Sequence, residues 1–115
     1  MVQNAVCIAY DDLRSLAFGG ISSSYAAVGL PFANPPRMYK VTNLTDAALL
    51  ISFNGVSDKD VIPANAGQIY DYGSNMSVSG GLLEDVAGRR VYVKQESGAA
   101  TSGKVYVTVM YASTV

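Results

Sequence analysis

Residues 37–55 read Arg37-Met38-Tyr39-Lys40-Val41-Thr42-Asn43-Leu44-Thr45-Asp46-Ala47-Ala48-Leu49-Leu50-Ile51-Ser52-Phe53-Asn54-Gly55, and this stretch decides the fold. Pro35-Pro36 just before it blocks a helix and sets an extended entry. Tyr39 and Val41 then alternate with Lys40 and Thr42, the period of two that puts apolar side chains on one face of a strand. Asn43-Leu44-Thr45-Asp46 is rich in side chains that hydrogen-bond their own backbone, which predicts a turn. Leu49, Ile51 and Phe53 share the next face and Leu50 keeps the opposite one partly apolar, so residues 47–53 read as a near-central strand. Asn54-Gly55 follows with the pair favoured in type I′ hairpin turns, where both central residues need positive φ.

The same alternation runs outward in both directions. Val61-Ile62-Pro63 is a short strand stopped by its proline, Ala64-Asn65-Ala66-Gly67 a turn, and Gln68-Ile69-Tyr70-Asp71-Tyr72 a strand. Gly73-Ser74-Asn75 and Ser79-Gly80-Gly81 flank a looser stretch, and Leu82-Leu83-Glu84-Asp85-Val86 reads as a helical turn or a loop. Val91 and Val93 alternate with Tyr92 and Lys94. Residues 96–103 are small and polar, the composition of a mobile hairpin tip. In residues 104–111, Val105, Val107, Val109 and Tyr111 line one face, and Tyr106, Thr108 and Met110 the other. A strand so apolar on both faces is central in its sheet or covered by another subunit. Upstream, residues 24–28 form a further candidate strand. Residues 10–18 admit either a helical turn opening at Asp11-Asp12 or a strand that puts Arg14, Leu16 and Phe18 on one face before Gly19-Gly20; the strand is favoured. The fold expected is all-β: an antiparallel β-sandwich of roughly seven to nine short strands, with the jelly roll as one arrangement of it. Residues 1–22 form an N-terminal arm or first strand and residues 23–115 the sandwich domain.

Composition narrows the function. A chain of 115 residues is one domain, and at this size folding hides about two-thirds of the surface, enough for a core without disulfides or metals. Half of the residues are hydrophobic and only 15% charged, and the net charge is −1. Such a surface does little to keep copies apart and suits a subunit that hides area in an assembly. The absence of histidine removes the usual general base and metal ligand. One cysteine, Cys7, excludes an intrachain disulfide and a multi-cysteine zinc site. Eight basic residues without a cluster give no footprint for nucleic acid. No apolar run approaches a membrane span, and Met1-Val2-Gln3-Asn4 lacks the basic start of a secretory signal. Without that route the sequon Asn43-Leu44-Thr45 is discounted as a glycosylation site.

The remaining constellations point to structure more than to chemistry. Asn54, Asp58 and Asp60 offer oxygens for a hard cation, but Lys59 sits between the carboxylates and the ligand count falls short, so a solvated hairpin is favoured. Asp11-Asp12 and Glu84-Asp85 are adjacent pairs, unlike two carboxyls set across a cleft. Ser22-Ser23-Ser24 has no base beside it, and neither Gly19-Gly20, Gly80-Gly81 nor the run from Gly98 to Gly103 completes a phosphate loop. Cys7 lies in the apolar run Ala5-Val6-Cys7-Ile8-Ala9 and reads as a small buried or interface hydrophobe. Eight tyrosines and no tryptophan is the unusual feature. Tyrosine suits half-exposed strands, and the readings are β propensity, a subunit interface or a sugar-binding platform.

Arg37-Met38-Tyr39-Lys40-Val41-Thr42-Asn43-Leu44-Thr45-Asp46, with Leu50-Ile51-Ser52-Phe53-Asn54-Gly55-Val56-Ser57-Asp58, resembles small tailed-bacteriophage virion proteins. Ile62-Pro63-Ala64, Tyr70-Asp71, Ser74-Asn75, Val91-Tyr92-Val93-Lys94-Gln95 and Gly103-Lys104-Val105-Tyr106-Val107-Thr108-Val109 continue the pattern. Leu13-Arg14-Ser15-Leu16-Ala17-Phe18 and Ser24-Tyr25-Ala26-Ala27-Val28-Gly29 fit it as well. The resemblance implies a non-enzymatic structural subunit made in the host cytoplasm and carried in the virion. Capsid decoration leads, with head–tail joining and tail attachment as alternatives, and a carbohydrate-binding module as an alternative of another class. The expected partners are further copies and other virion proteins of capsid, portal or tail, with no nucleic acid, membrane or cofactor. The expected interface residues are Val6, Ile8, Tyr10, Leu13, Leu16, Phe18, Tyr106 and Met110, with residues 2–9 adding a strand to a neighbour's open sheet edge.

Overall fold

The computed structural model describes residues 6–71 and 89–114. Tyr72, Ser74-Asn75, Gly80-Gly81 and the turn expected at residues 82–86 lie outside the described residues. Nine strands are described: β1 (Val6–Tyr10), β2 (Arg14–Ala17), β3 (Ala26–Ala27), β4 (Met38–Asn43), β5 (Leu49–Ser52), β6 (Asp60–Ile62), β7 (Ala66–Asp71), β8 (Tyr92–Gln95) and β9 (Lys104–Thr114). One 3-10 turn, Phe18–Gly20, is the sole helical element among the described residues. The strand expected to run through Phe18 therefore stops one residue earlier.

All described pairings are antiparallel, and they build two sheets. The first runs β1-β9-β4-β7, with β2 also on the β1 side of β9; the second runs β3-β8-β5-β6. From β2 onward each strand lies in the sheet opposite its predecessor, except β6, which pairs with β5. This is the jelly-roll form of the sandwich. It makes β9 and β5 interior strands, as their apolar character on both faces requires. It also corrects residues 96–103. They join β8 of one sheet to β9 of the other, so they are a crossover and not a hairpin tip. The loop is held in place: Thr101 donates from both its backbone N–H and its hydroxyl to the Asp46 carboxylate.

The inner faces are set by the alternation in the sequence. Tyr39, Val41, Leu49, Ile51, Val91, Val93, Val105, Val107 and Val109 are all fully buried. Phe32, Tyr39, Phe53 and Tyr70 close one end of this core, with ring centroids 5.2–5.9 Å apart and mostly edge-to-face. The Tyr70 hydroxyl donates to the Asp60 carboxylate at 2.7 Å and so ties β7 to β6 across the two sheets.

Asn54-Gly55 does not form a two-residue type I′ turn. Gly55 has φ +77°, but Asn54 is not among the residues of positive φ, and β5 and β6 re-pair only at Ile51 and Asp60. The Asn54 side chain folds back instead and its Oδ1 accepts from the N–H groups of Val56 and Ser57, each at 2.9 Å. An Asx turn has thus replaced the tight hairpin.

Candidate functional site

β1 and β2 lie end to end along the same edge of β9. Tyr10 opposes Met110 and Arg14 opposes Val107, so the edge advances four residues while β9 advances three. The extra residue is a β-bulge at residues 11–13. Without it, Arg14 and Leu16 would share a face with Ile8 and Tyr10, because all four are even-numbered. With it, Arg14 and Leu16 turn inward, opposite buried Val107 and Val105. Leu16, half-buried, packs against the core.

Asp11 and Arg14 hold the bulge. The Arg14 guanidinium is 6% exposed and lies 5.3 Å from the centre of the Phe32 ring. Its Nε donates to the Leu30 carbonyl at 2.9 Å, one Nη to Pro31 at 2.8 Å, and the other to the Asp12 carbonyl. Asp11 Oδ2 lies 3.6 Å from the guanidinium and accepts the Ala33 N–H at 2.9 Å. Burial works to raise the Asp11 pKa, but the Asp12 and Ala33 N–H groups and Arg14 hold it below the ordinary 3.8. Gly29 passes over Arg14 at φ +72°, where a Cβ would come within 2.7 Å of Arg14 Cγ. An open cleft of about 310 Å³ lies beside the bulge, with Leu13 and Leu30 on its rim. The guanidinium at this cleft is committed to backbone carbonyls.

The outer face of the first sheet gathers the other expected interface residues. Tyr10, Met110, Met38 and Asp71 form one cross-strand row, Ile8 and Ala112 the next, and Thr108, Lys40 and Ile69 the row below Met110. Tyr106 lies one row further, beside Ser15 and Thr42. Ile8, Tyr10 and Ile69 are 44%, 67% and 55% exposed, well above the core residues behind them. Beyond Met38 the sheet narrows, among the described residues, to β1 and β9, where Cys7, Ile8 and Ala9 pair with Ser113, Ala112 and Tyr111. This two-stranded ribbon projects along a molecule 57 Å in its longest dimension. Val6 pairs with Thr114 at its far end. Cys7 is exposed on the ribbon, not buried, where no described strand of the second sheet pairs with β1. Leu13 and Phe18 are exposed at the two ends of β2. Of the stretch expected to add a strand to a neighbour, residues 6–9 pair on one side with β9, and no described strand pairs with their other side. Ile69 and Met38 were not singled out from the sequence. The β4–β9 register places Met38 opposite Met110, and the β4–β7 register places Ile69 opposite Lys40, one row away.

The loop acids are engaged within the fold. Asp58 accepts the Tyr25 hydroxyl and lies 3.4 Å from Lys94 Nζ, and Asp60 accepts from Tyr70 and the Val61 N–H. The metal reading of Asn54, Asp58 and Asp60 therefore meets three groups directed to separate structural partners.

No family model matches the chain, and no curated protein matches it. Among solved structures, the chain is similar to one from Bacillus endospore appendages, described as a novel family of disulfide-linked pili. Identity is 12%, the match covers 96% of this chain and 90% of that one, and the TM-score is 0.48.

The same contacts set a pH dependence. Hydrogen bonding to the Tyr25 hydroxyl lowers the Asp58 pKa from 3.8, and the Thr101 hydroxyl and N–H lower that of Asp46. Together with Asp11, these carboxylates contribute stability above pH 3.8 that is lost as the pH falls through their depressed pKa values. Burial, followed by the Asp58 hydrogen bond and charge, pushes Tyr25 from 10.0 up to about 12. Burial and Asp60 raise Tyr70 further. Both tyrosines contribute stability below pH 10 that is lost as the pH rises through their folded values. Thermal melting across pH is expected to show a plateau between the two limbs. Tyr25→Phe is expected to shrink the alkaline limb, and an unchanged limb would count against the Tyr25–Asp58 contact.

Proposed function

We propose that this chain is a non-enzymatic structural subunit of a tailed-phage virion, a capsid decoration protein that joins neighbouring subunits. The observation that carries the assembly reading is the apolar group on the outer face of the first sheet, where exposed Ile8 and Tyr10 lie with Met110 and Met38, and Ile69 follows beyond Lys40 and Asp71. Monomeric proteins rarely expose contiguous apolar area beyond a few hundred Å². A two-stranded ribbon, to which no third strand pairs among the described residues, is also marginal in water, and a neighbour covering it would supply further pairing. The virion assignment rests on the residue pattern of Arg37-Met38-Tyr39-Lys40 through Asp58. Jelly rolls serve in viral capsid and lectin domains alike, so the fold agrees with this reading without selecting it.

Repeated copies in a symmetric shell let individually modest contacts hold, since each bound site raises the effective concentration at the next. Light scattering over a concentration series is expected to give a discrete oligomer or larger assembly. Tyr10→Glu, on an exposed position that leaves the core untouched, is expected to weaken self-association at least tenfold, because it buries a charge at the centre of the patch. A monomer at every concentration would overturn self-assembly. Purified particles of a phage encoding this chain should contain it in fixed ratio to the major capsid protein, and its absence from them would overturn the virion role.

A further inference from the structure

We infer that Asn54-Gly55 is a self-modifying site, at which the folded loop accelerates cyclisation of Asn54 to a succinimide and its conversion to aspartate or isoaspartate. The inference does not rest on the assembly reading. The dipeptide carries both reacting groups. Gly55 supplies a backbone nitrogen with no Cβ to crowd it, and Asn54 is exposed to the water that finishes the reaction.

Three donors converge on the Asn54 carbonyl oxygen, where negative charge develops as the side-chain carbon is attacked. They are the Val56 N–H, the Ser57 N–H and the Ser52 hydroxyl, each at 2.9 Å. This is the arrangement of an oxyanion hole, made here from one loop. Ser52 is fully buried, and its Oγ also accepts the Gly55 N–H at 3.0 Å. One hydroxyl therefore touches the proton that must leave the nucleophile and the oxygen that must receive one.

The step balances without a co-reactant other than water. A bond forms between Gly55 N and Asn54 Cγ. The Gly55 proton passes to Ser52 Oγ as the Ser52 proton passes to Oδ1. The tetrahedral carbon then returns that proton to Nδ2, the Cγ–Nδ2 bond breaks, and ammonia leaves. Water opens the ring at either carbonyl. Net charge moves from −1 to one unit more negative, beside the loop acid that holds Tyr25 and Lys94. Asn43 and Asn65 precede Leu44 and Ala66, whose Cβ atoms crowd the attacking nitrogen, and the Asn43 amide is buried as well.

The test follows the intact chain at neutral pH and 37 °C by peptide mapping and mass spectrometry, with fragment ions placing the change within residues 41–59. The same chain in urea supplies the unassisted rate. Folded protein is expected to convert at Asn54 at least about tenfold faster than the unfolded chain, well under the roughly 10²–10³ that one oxyanion donor supplies in an enzyme. Ser52→Ala, checked for folding by circular dichroism, is expected to lose that acceleration, and Ser52→Thr to keep it if the variant retains the hydroxyl position. Conversion no faster in the folded chain than in urea would overturn the inference, because the hydrogen bonds would then be locking the amide. An unchanged rate in folded Ser52→Ala would overturn the role of the hydroxyl.

Discussion

Arg14→Ala is expected to remove about 3–5 kcal/mol of folding stability, the range for breaking a buried charged pair by deleting one partner. The cost comes from the groups left behind. The carbonyls of Asp12, Leu30 and Pro31 lose their donor, and Asp11 loses its cation while still buried beside Ala33. Each unpaired buried group costs about 1–3 kcal/mol, and the emptied site beneath Phe32 adds a cavity. Against a total of about 5–15 kcal/mol for a typical domain, this is a large fraction. Arg14→Lys keeps the charge but cannot present a planar fork to three carbonyls from two loops, so it is expected to fall between wild type and alanine. Urea denaturation followed by circular dichroism measures both. A midpoint for Arg14→Ala close to wild type would mean that water enters the bulge and serves the same carbonyls.

Asn43→Ala is expected to cost about 3 kcal/mol, and Asn43→Asp more. The Asn43 amide is fully buried at the end of β4 and donates to the carbonyls of Ala47, Ile62 and Pro63 at 2.9–3.1 Å. Its oxygen accepts from the Thr45 N–H at 3.0 Å and the Thr45 hydroxyl at 2.6 Å. One side chain thus shapes the turn after β4 and ties it to the end of β6. Alanine leaves these groups unpaired in the interior. Aspartate keeps the acceptor but sets a carboxylate against three carbonyl oxygens, which burial makes worse. The comparison of the two variants by urea midpoint separates lost donors from added charge; equal midpoints would show that the carboxyl takes up a proton or turns to solvent. The same burial closes the sequon, since a glycan on Nδ2 would take one of its two N–H donors and need space that the buried site does not have. The crossover packs onto this turn at Gly103, which has φ +90° and where a Cβ would run into the Leu44 carbonyl oxygen.

Much of this architecture is legible in the residues. The alternation of Tyr39 and Val41, Leu49 and Ile51, Val91 and Val93, and Val105 through Val109 marks strands and their buried faces, because a side-chain period of two follows from the pleat alone. Pro35-Pro36 and Pro63 mark strand limits for reasons equally local. The polar residues that became buried were hidden for a related reason. Asn43 in a turn motif and Arg14 in a short charged run look like surface residues until the carbonyls of distant loops converge on them.

Tertiary structure decided three things that local pattern does not carry. The bulge at residues 11–13 exists only against β9, and it reverses which side of the sheet every residue after it faces, so Tyr10 points out and Leu16 in. The assignment of successive strands to opposite sheets made residues 96–103 a crossover, although a small polar loop between two alternating strands reads the same either way. The register of β4 with β9 placed Met38 opposite Met110, and that with β7 placed Ile69 one row away, opposite Lys40, which composed the outer face. Periodicity is a property of neighbours along the chain. Bulges, crossovers and shared faces depend on which distant strand arrives beside them, and that is settled by packing the whole core at once.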